Sequence, residues 1–469
     1  MNKNKDMSYA AVMARKPEIM KQSSGMDFSK FESGSIAFDY EKMMREAGFT
    51  IDEIIKIQSE HGVGNTPIIE LRNLTALARK CAPAGKGARI FIKDEAANAS
   101  GSFKARRAST AVYQAKKLGY KGVVTATSGN YGAAVASQAA MYGLKCIVVQ
   151  ECYDSRGVGQ PEIIEKARKC EALGAEVVQL SVGPELFSSF LAILEETGYF
   201  NASLYTPFAI AGVETLGYEI AMQFREKFGK DPDVVVATNA GGGNLTGTAR
   251  GLIKAGAESK IVAASVDLSG LHMAADTQFN KKSFTTGHTG FGMPFATWPD
   301  RSDVPRSAAR PLRYMDRYVT VHQGDVFYMT EVLASLEGLE KGPAGNTALA
   351  AAFSIAQEMD QDKMIIVQET EYTGAGKHIQ PQLSFARDNG IEILFGNPKD
   401  EVPGKNIILP SHPSLIKAVD ADLNHMRKSL IKNALDNYKV TPTVEDIEFL
   451  AVETNTDVEF VKNVLDTLK

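Results

Sequence analysis

The chain has 469 residues, more than one compact hydrophobic core usually organises, so its length predicts two packed domains with extensions. Hydrophobic residues make up 44% and charged residues 23%, which excludes a disordered or fibrous protein. The formal net charge is −4, so no bulk positive field favours nucleic acid or an anionic membrane as a partner.

Cysteine usage and apolar runs indicate the compartment. The four cysteines form no C-x-x-C pair and show no zinc-finger spacing with histidine, so no metal site is predicted. Four buried thiols suit a reducing cytosol. The N-terminal residues lack the apolar core of a signal peptide, and no apolar run is long enough to span a bilayer. We therefore expect a cytoplasmic protein.

Residues 1–60 interleave acidic and basic side chains and are helix-prone. Thr50 followed by Glu53 fits a capping box that starts a short helix. This segment is typical of an arm that wraps on the core or on a partner, and no chemistry is evident in it.

From Arg89 onward, strand-like and helix-like runs alternate. Residues 88–95 predict a strand, and residues 103–119 predict an amphipathic helix that Gly119 ends. The alternation resumes at Asp231, with near-continuous Val and Ile runs as the strands. Such runs, separated by helices, favour parallel strands that are covered on both faces of an open α/β sheet.

Two later segments depart from this pattern. The last part of the chain, after residue 398, is amphipathic and helical at its end, which favours packing on the core or a partner over catalysis. Residues 270–317 are loop-rich and strongly basic, with arginines at Arg301, Arg306, Arg310, Arg313 and Arg317.

Lys104 is the first candidate catalytic residue. It closes the run Ser100-Gly101-Ser102-Phe103-Lys104, after a predicted strand and on the first turn of a predicted helix. The positive helix end and partial burial would both lower the pKa of the amine, which favours Schiff-base formation. Most lysines are solvated surface charges, and the run by itself leaves that alternative open.

A polar turn, Thr127-Ser128-Gly129-Asn130-Tyr131, opens a second, Ala-rich helix. As local structure it is an ordinary N-capped helix start. As a site, its consecutive N–H groups and two hydroxyls are suited to a substrate carboxylate, and the Asn130 amide is suited to a phenolate oxygen.

Three consecutive glycines, Gly241 to Gly243, stand between a predicted strand and a predicted helix. They allow a backbone nest for a phosphate at the helix N-terminus. Asp267 ends the next strand about where a ribose-binding acid would stand, so a nicotinamide-dependent oxidoreductase is an alternative. The glycines do not fit G-x-G-x-x-G and no P-loop lysine follows, so one phosphate monoester fits better than a pyrophosphate.

A fourth element, the turn from Thr373 to Lys377, follows a predicted strand and by itself indicates only a strand-to-helix turn. In order and spacing, the four elements together resemble the fold-type II pyridoxal phosphate (PLP) enzymes, the group of threonine synthase, cysteine synthase and the tryptophan synthase β subunit. Their motif S/T-G-S-F-K-D-R is similar to residues 100–106, and their S-G-N turn is similar to the run that begins at Ser128. The resemblance covers roughly residues 60–385.

The resemblance implies three kinds of site residue. Lys104 carries PLP covalently, and Asn130 faces the pyridine 3-oxygen. The phosphate is held by the glycine loop, namely Gly241, Gly242, Gly243 and Asn244. The substrate carboxylate is bound by the polar turn, namely Thr127, Ser128, Gly129 and Tyr131.

The resemblance also implies a tryptophan synthase β-like α/β fold. Two open, mostly parallel twisted sheets are flanked by helices, with helical N- and C-terminal extensions. The implied division is an N-terminal arm, a large PLP domain, a small domain inserted in it and a C-terminal helical extension, over residues 1–60, 61–108 with 210–385, 109–209 and 386–469.

Two departures from the family pattern bear on the chemistry. Ala105 stands where the family commonly has Asp. The run from Gly342 to Gly345 lacks the serine that some members place at the pyridine nitrogen, so Thr373 is the candidate there. A neutral hydroxyl at that nitrogen would limit electron withdrawal by the ring.

Residues 65–80 and the residues of the lysine motif, 100–106, most resemble a thiolase subfamily of this group. Its members cleave 2-amino-4-oxopentanoate with coenzyme A to acetyl-CoA and alanine in ornithine degradation. The resemblance implies a catalytic β subunit, a homodimer of this chain within a complex that holds a small α subunit, and CoA as co-substrate.

Alternatives remain open at this point. One is a PLP-dependent ammonia-lyase or a threonine-synthase-like β/γ-replacement enzyme, and a more distant one is the nicotinamide-dependent oxidoreductase. The arginine-rich residues 301–317 either meet the phosphates of CoA or form a solvated or subunit-facing loop.

Overall fold

The computed structural model describes residues 5–127, 129–154, 156–268, 284–285, 300–372 and 379–468. Within these ranges, no helix is both long enough and apolar enough to cross a bilayer. The helices are α1 (Tyr9–Ala14), α2 (Lys16–Ser23), α3 (Tyr40–Glu46), α4 (Ile51–Ser59), α5 (Arg72–Cys81), α6 (Lys104–Lys117), α7 (Asn130–Tyr142), α8 (Pro161–Ala172), α9 (Glu185–Thr197), α10 (Pro207–Phe228), α11 (Gly243–Lys254), α12 (Gln323–Glu337), α13 (Pro343–Ala356), α14 (Ile379–Asp388), α15 (Leu423–Tyr438), α16 (Val444–Thr454) and α17 (Val458–Leu468).

In the part of the chain that the structure describes, the strands form two main sheets and one separate pair. The strands are β1 (Ile68–Glu70), β2 (Arg89–Asp94), β3 (Gly122–Thr127), β4 (Lys145–Tyr153), β5 (Glu176–Ser181), β6 (Phe200–Asn201), β7 (Val234–Thr238), β8 (Lys260–Val266), β9 (Arg317–Val321), β10 (Met364–Glu369), β11 (Glu392–Gly396), β12 (Asn406–Pro410) and β13 (Val419–Asp420). The predicted strand over residues 88–95 and the predicted helix over 103–119 correspond to β2 and α6.

The larger sheet has the strand order β1-β2-β10-β7-β8-β9-β13. The five inner strands run parallel, and the edge strands β1 and β13 are antiparallel to their neighbours. The inner strands are buried on both faces because α10 and α11 cover one side and α13 covers the other. The carboxyl ends of β2, β10 and β7 therefore meet at one edge of this sheet.

The smaller sheet has the order β5-β4-β3-β6, and its strands run parallel. Its central strand β3 is buried from Val123 to Ala126. Together the two sheets and their helices make an α/β fold with mostly parallel strands, as the sequence predicted.

The terminal extensions are tied to each other and to the core. Asp446, in α16, accepts hydrogen bonds from the backbone N–H groups of Ser35, Ile36 and Ala37 at 3.0, 2.7 and 2.9 Å. The C-terminal helices α15 to α17 also bury apolar side chains against the large sheet's helices. The C-terminal extension contains the pair β11-β12 and the edge strand β13 besides its helices.

The arginine-rich stretch is paired internally. Arg310 bonds Glu453 and Asp300, and Arg313 bonds Glu453. The other three arginines also have carboxylate partners, in the pairs Arg301–Asp303, Arg306–Asp300 and Arg317–Asp420. Arg310, Arg313 and Arg317 thus connect the stretch to the C-terminal extension, and the charge of all five arginines is compensated within this chain.

Candidate active site

Lys104 begins α6 after an unusual backbone entry. Ser100 and Gly101 both have left-handed φ values, 65° and 74°. The N–H of Phe103 then donates to the carbonyl of Thr370 at 3.0 Å, just beyond the carboxyl end of β10. The amine of Lys104 lies over the Phe103 ring, 4.7 Å from its centroid. These contacts hold Lys104 at the edge of the large sheet where the central parallel strands end.

A buried ion network lies directly behind Lys104. The guanidinium of Arg106 bonds both oxygens of Glu95 at 2.7 and 2.8 Å and both oxygens of Glu219 at 2.9 and 2.8 Å. Lys93 adds a second cation, 2.9 Å from Glu219. The network joins β2, α6 and α10, so it fixes the helix that carries Lys104.

The network predicts a loss of stability in acid. Burial by itself raises the pKa of Glu219, but Arg106 and Lys93 outweigh it and lower that pKa from 4.5 to about 2. The stabilisation is therefore complete above about pH 4.5 and is lost as the pH falls toward 2. Its size is on the order of 3 kcal/mol.

Urea denaturation between pH 6 and pH 3 checks this prediction. The unfolding midpoint of the native chain should fall steeply below pH 4.5, and the Glu219→Gln variant should start lower and fall less. Parallel curves for the two proteins would contradict the assignment to Glu219.

The polar turn follows β3 and opens α7. Thr127 ends the strand, and its hydroxyl accepts a hydrogen bond from the N–H of Gly129 at 3.1 Å. Asn130 is buried, and its Oδ1 has no hydrogen-bond partner in the described ranges. Helix α7, which Asn130 begins, packs against α6 and against the 99–101 turn that precedes Lys104. Ser128 lies outside the described residues.

Tyr131 is more deeply buried than a residue that binds a substrate carboxylate needs to be. Its side chain is buried, its hydroxyl has no partner among the described residues, and burial raises its pKa well above the usual range. The charge of Arg107 acts on this hydroxyl, so Tyr131 faces the side of α6 rather than the solvent. Its predicted role at a substrate carboxylate stays a prediction.

The glycine loop connects β7 to α11, and it is closely packed. A side chain at Gly241 would collide with the hydroxyl of Tyr205, and Gly242 has a left-handed φ of 82° against the ring of Pro311. Asn244 follows in the first turn of α11, and both polar atoms of its buried amide lack partners in the described ranges. The loop thus presents a helix N-terminus with an unsatisfied amide beside it, a suitable environment for a phosphate.

Two buried ionisable groups near these motifs were not predicted from the sequence. Arg107 follows Arg106 on α6 and reaches the glycine loop. Glu369 ends β10 beside the N-terminus of α13, and neither of its carboxyl oxygens has a partner among the described residues. Arg107 could have been singled out from the run of two arginines after Lys104. For Glu369 the sequence shows only an acidic residue at the end of an apolar strand, which does not predict a buried carboxyl at the site.

The described residues fit PLP. The unpartnered amide of Asn244 can donate to a phosphate, the side-chain N–H of the buried Asn130 can donate to a phenolate oxygen, and Lys104 supplies the amine. Helix α6, which Lys104 begins, contacts both α7, which Asn130 begins, and the glycine loop at Gly243. Thr373, the candidate for the pyridine nitrogen, lies outside the described residues.

Comparison with known proteins agrees with this geometry. Residues 59–370 match the family described as "Pyridoxal-phosphate dependent enzyme". The "2-amino-4-ketopentanoate thiolase beta subunit" of Acetoanaerobium sticklandii is 78% identical over 467 residues, 99% of this chain and 100% of that protein. A protein of the same name from an unknown prokaryotic organism is 65% identical over 466 residues, 99% of both chains.

Solved structures share the fold at low sequence identity. Serine racemase from Dictyostelium discoideum superposes with a TM-score of 0.52 at 20% identity, covering 69% of this chain and 97% of that one. O-ureido-L-serine synthase superposes with a TM-score of 0.50 at 22% identity, covering 71% and 94%. The matches favour PLP over the nicotinamide cofactor that Asp267 suggested, and this chain belongs to the family of pyridoxal-phosphate dependent enzymes.

Proposed function

We propose that this chain is the catalytic β subunit of a thiolase that cleaves 2-amino-4-ketopentanoate with CoA to acetyl-CoA and alanine. The observation that carries the proposal is the 78% identity, over nearly the whole chain, to a β subunit of that name. The retained lysine motif, asparagine turn and glycine loop support it, because a catalytic subunit needs all three. No observation favours the ammonia-lyase or replacement alternatives.

The proposed reaction breaks the C3–C4 bond of the substrate. The sulfur of CoA bonds to C4, C3 gains a proton, and the products are acetyl-CoA and alanine. When bound, PLP supplies an electron sink for the amino acid that it holds.

Each predicted site residue has a proposed task in this reaction. Lys104 holds the cofactor and moves the proton of the amino-bearing carbon at its Nζ. The 127–131 turn orients the substrate through its carboxylate, and Asn130 bonds the 3-oxygen of the cofactor. The glycine loop with Asn244 anchors the phosphate, and Thr373 remains the family-derived candidate at the pyridine nitrogen.

The arginine-rich stretch is not our proposed site for the CoA phosphates. All five arginines have carboxylate partners within the chain, and Arg301 and Arg310 are largely buried. Recruiting them to a phosphate would break buried ion pairs, which is costly.

We also propose that the active form is a homodimer of this chain assembled with a small α subunit, in the cytoplasm. The β-subunit names of the relatives support the α partner. The four cysteines, which are free thiols, suit a reducing compartment.

The assay that tests the function combines the purified chain, its α subunit, 2-amino-4-ketopentanoate, CoA and PLP. We expect acetyl-CoA and alanine in equal amounts, and no cleavage when CoA is omitted. Release of ammonia without acetyl-CoA would instead support the lyase alternative and overturn the proposal.

A further inference from the structure

Arg107 is a buried cation that no carboxylate contacts in the described part of the chain. Its side chain is 3% exposed, and its Nε has no hydrogen-bond partner. Its guanidinium lies over the ring of Phe103, with Cζ 5.1 Å from the ring centroid. Burial lowers the pKa of Arg107 to about 10, so it keeps its charge at neutral pH. An ion buried in this way calls for an anion beside it.

The preceding residue, Arg106, is a buried arginine whose charge is compensated by carboxylates. Arg106, one position earlier on α6, is equally buried but bonds two carboxylates. The groups whose charges act on Arg107 are the phenols of Tyr131 and Tyr205, which are neutral at physiological pH because burial raises both pKa values. The uncompensated charge is therefore specific to position 107.

The guanidinium of Arg107 lies against the glycine loop. A Cβ built on Gly243 would be 2.7 Å from its Nη2. Gly243 is the first residue of α11, where free backbone N–H groups and the positive helix end favour an anion. The amide of Asn244, unpartnered and 6% exposed, is on the same turn. Three kinds of unsatisfied donor thus converge on one buried point.

We propose that Arg107 binds the phosphate of PLP. A phosphate monoester dianion matches a planar guanidinium, helix N–H groups and an amide better than a monovalent carboxylate does. The proposal rests on membership of the PLP family and not on the thiolase reaction, so it stands even if the chain catalyses a different reaction.

Binding of PLP and of pyridoxal, which lacks the phosphate, tests this role in the apoprotein. In Arg107→Met, the dissociation constant for PLP should rise about tenfold to a hundredfold. That for pyridoxal should change less than about threefold. The melting temperature of the apoprotein should stay the same or rise, because the variant removes an uncompensated buried charge.

Arg168→Met is the matched control, since Arg168 is exposed and makes only a surface pair with Glu165. If Arg107→Met bound PLP and pyridoxal equally more weakly, or if its apoprotein were less stable, Arg107 would have a structural role and the proposal would be overturned. The proposal would also be overturned if Arg107→Met bound PLP as tightly as the native protein but CoA no longer raised its melting temperature. If Arg107→Met does not fold, Arg107→Lys must still weaken PLP several-fold more than pyridoxal.

Discussion

Replacing Lys104 with alanine is expected to abolish the visible absorption of lysine-bound PLP and to lower the thiolytic rate by at least about 10²- to 10⁴-fold. The absorption disappears because no amine remains at the start of α6 to bond the cofactor. The rate falls because the same Nζ is the proposed proton carrier, and positioned proton transfer contributes about that factor. The spectrum of the purified variant and its acetyl-CoA formation measure the two effects.

Lys117→Ala is the control for this experiment, since Lys117 is an exposed lysine at the other end of the same helix. It should retain both the absorption and the activity. An unchanged spectrum in Lys104→Ala would mean that another lysine holds the cofactor.

Replacing Arg106 with methionine is expected to lower the free energy of unfolding by about 3–5 kcal/mol. The substitution leaves Glu95 and Glu219 buried without their main cation, and breaking one side of a buried ion network costs about that much. Urea denaturation followed by circular dichroism measures the change. We also expect weaker PLP binding, because α6 carries Lys104.

Two further variants sharpen this test. Arg168→Met removes an exposed ion pair with Glu165 and should change stability by less than about 1 kcal/mol. Arg106→Lys keeps one charge and should lose less than the methionine variant. A loss below about 1 kcal/mol in Arg106→Met would show that the network contributes little to folding.

Features that depend on near neighbours were predictable from the sequence. The capping box of Thr50 and Glu53 is present at the start of α4. The strand and helix around Lys104 also appear where their periodicity indicated. In each case the deciding interactions lie within a few residues, so the order of residues contains the necessary information.

Features that depend on distant partners were not predictable. The basic stretch suggested a phosphate site or a solvated loop, whereas Arg310 and Arg313 both pair with Glu453, which lies 143 and 140 positions away. Nothing in the spacing of the arginines identifies that partner.

Arg107 and Glu369 show the same limit at the site. Arg106 and Arg107 are adjacent in sequence, yet only Arg106 finds carboxylates, because successive residues of a helix point in different directions. Glu369 is equivalent in sequence to many strand-ending acids, and its burial beside Gly345 appears only in three dimensions.

The central claim is that Lys104 holds PLP, and the most direct measurement is reduction of the native protein with borohydride followed by peptide mass spectrometry. Reduction makes the bond between lysine and cofactor permanent. We predict one modified peptide, with the phosphopyridoxyl group on Lys104. A modification on another lysine, or none in protein that was saturated with PLP, would contradict the account.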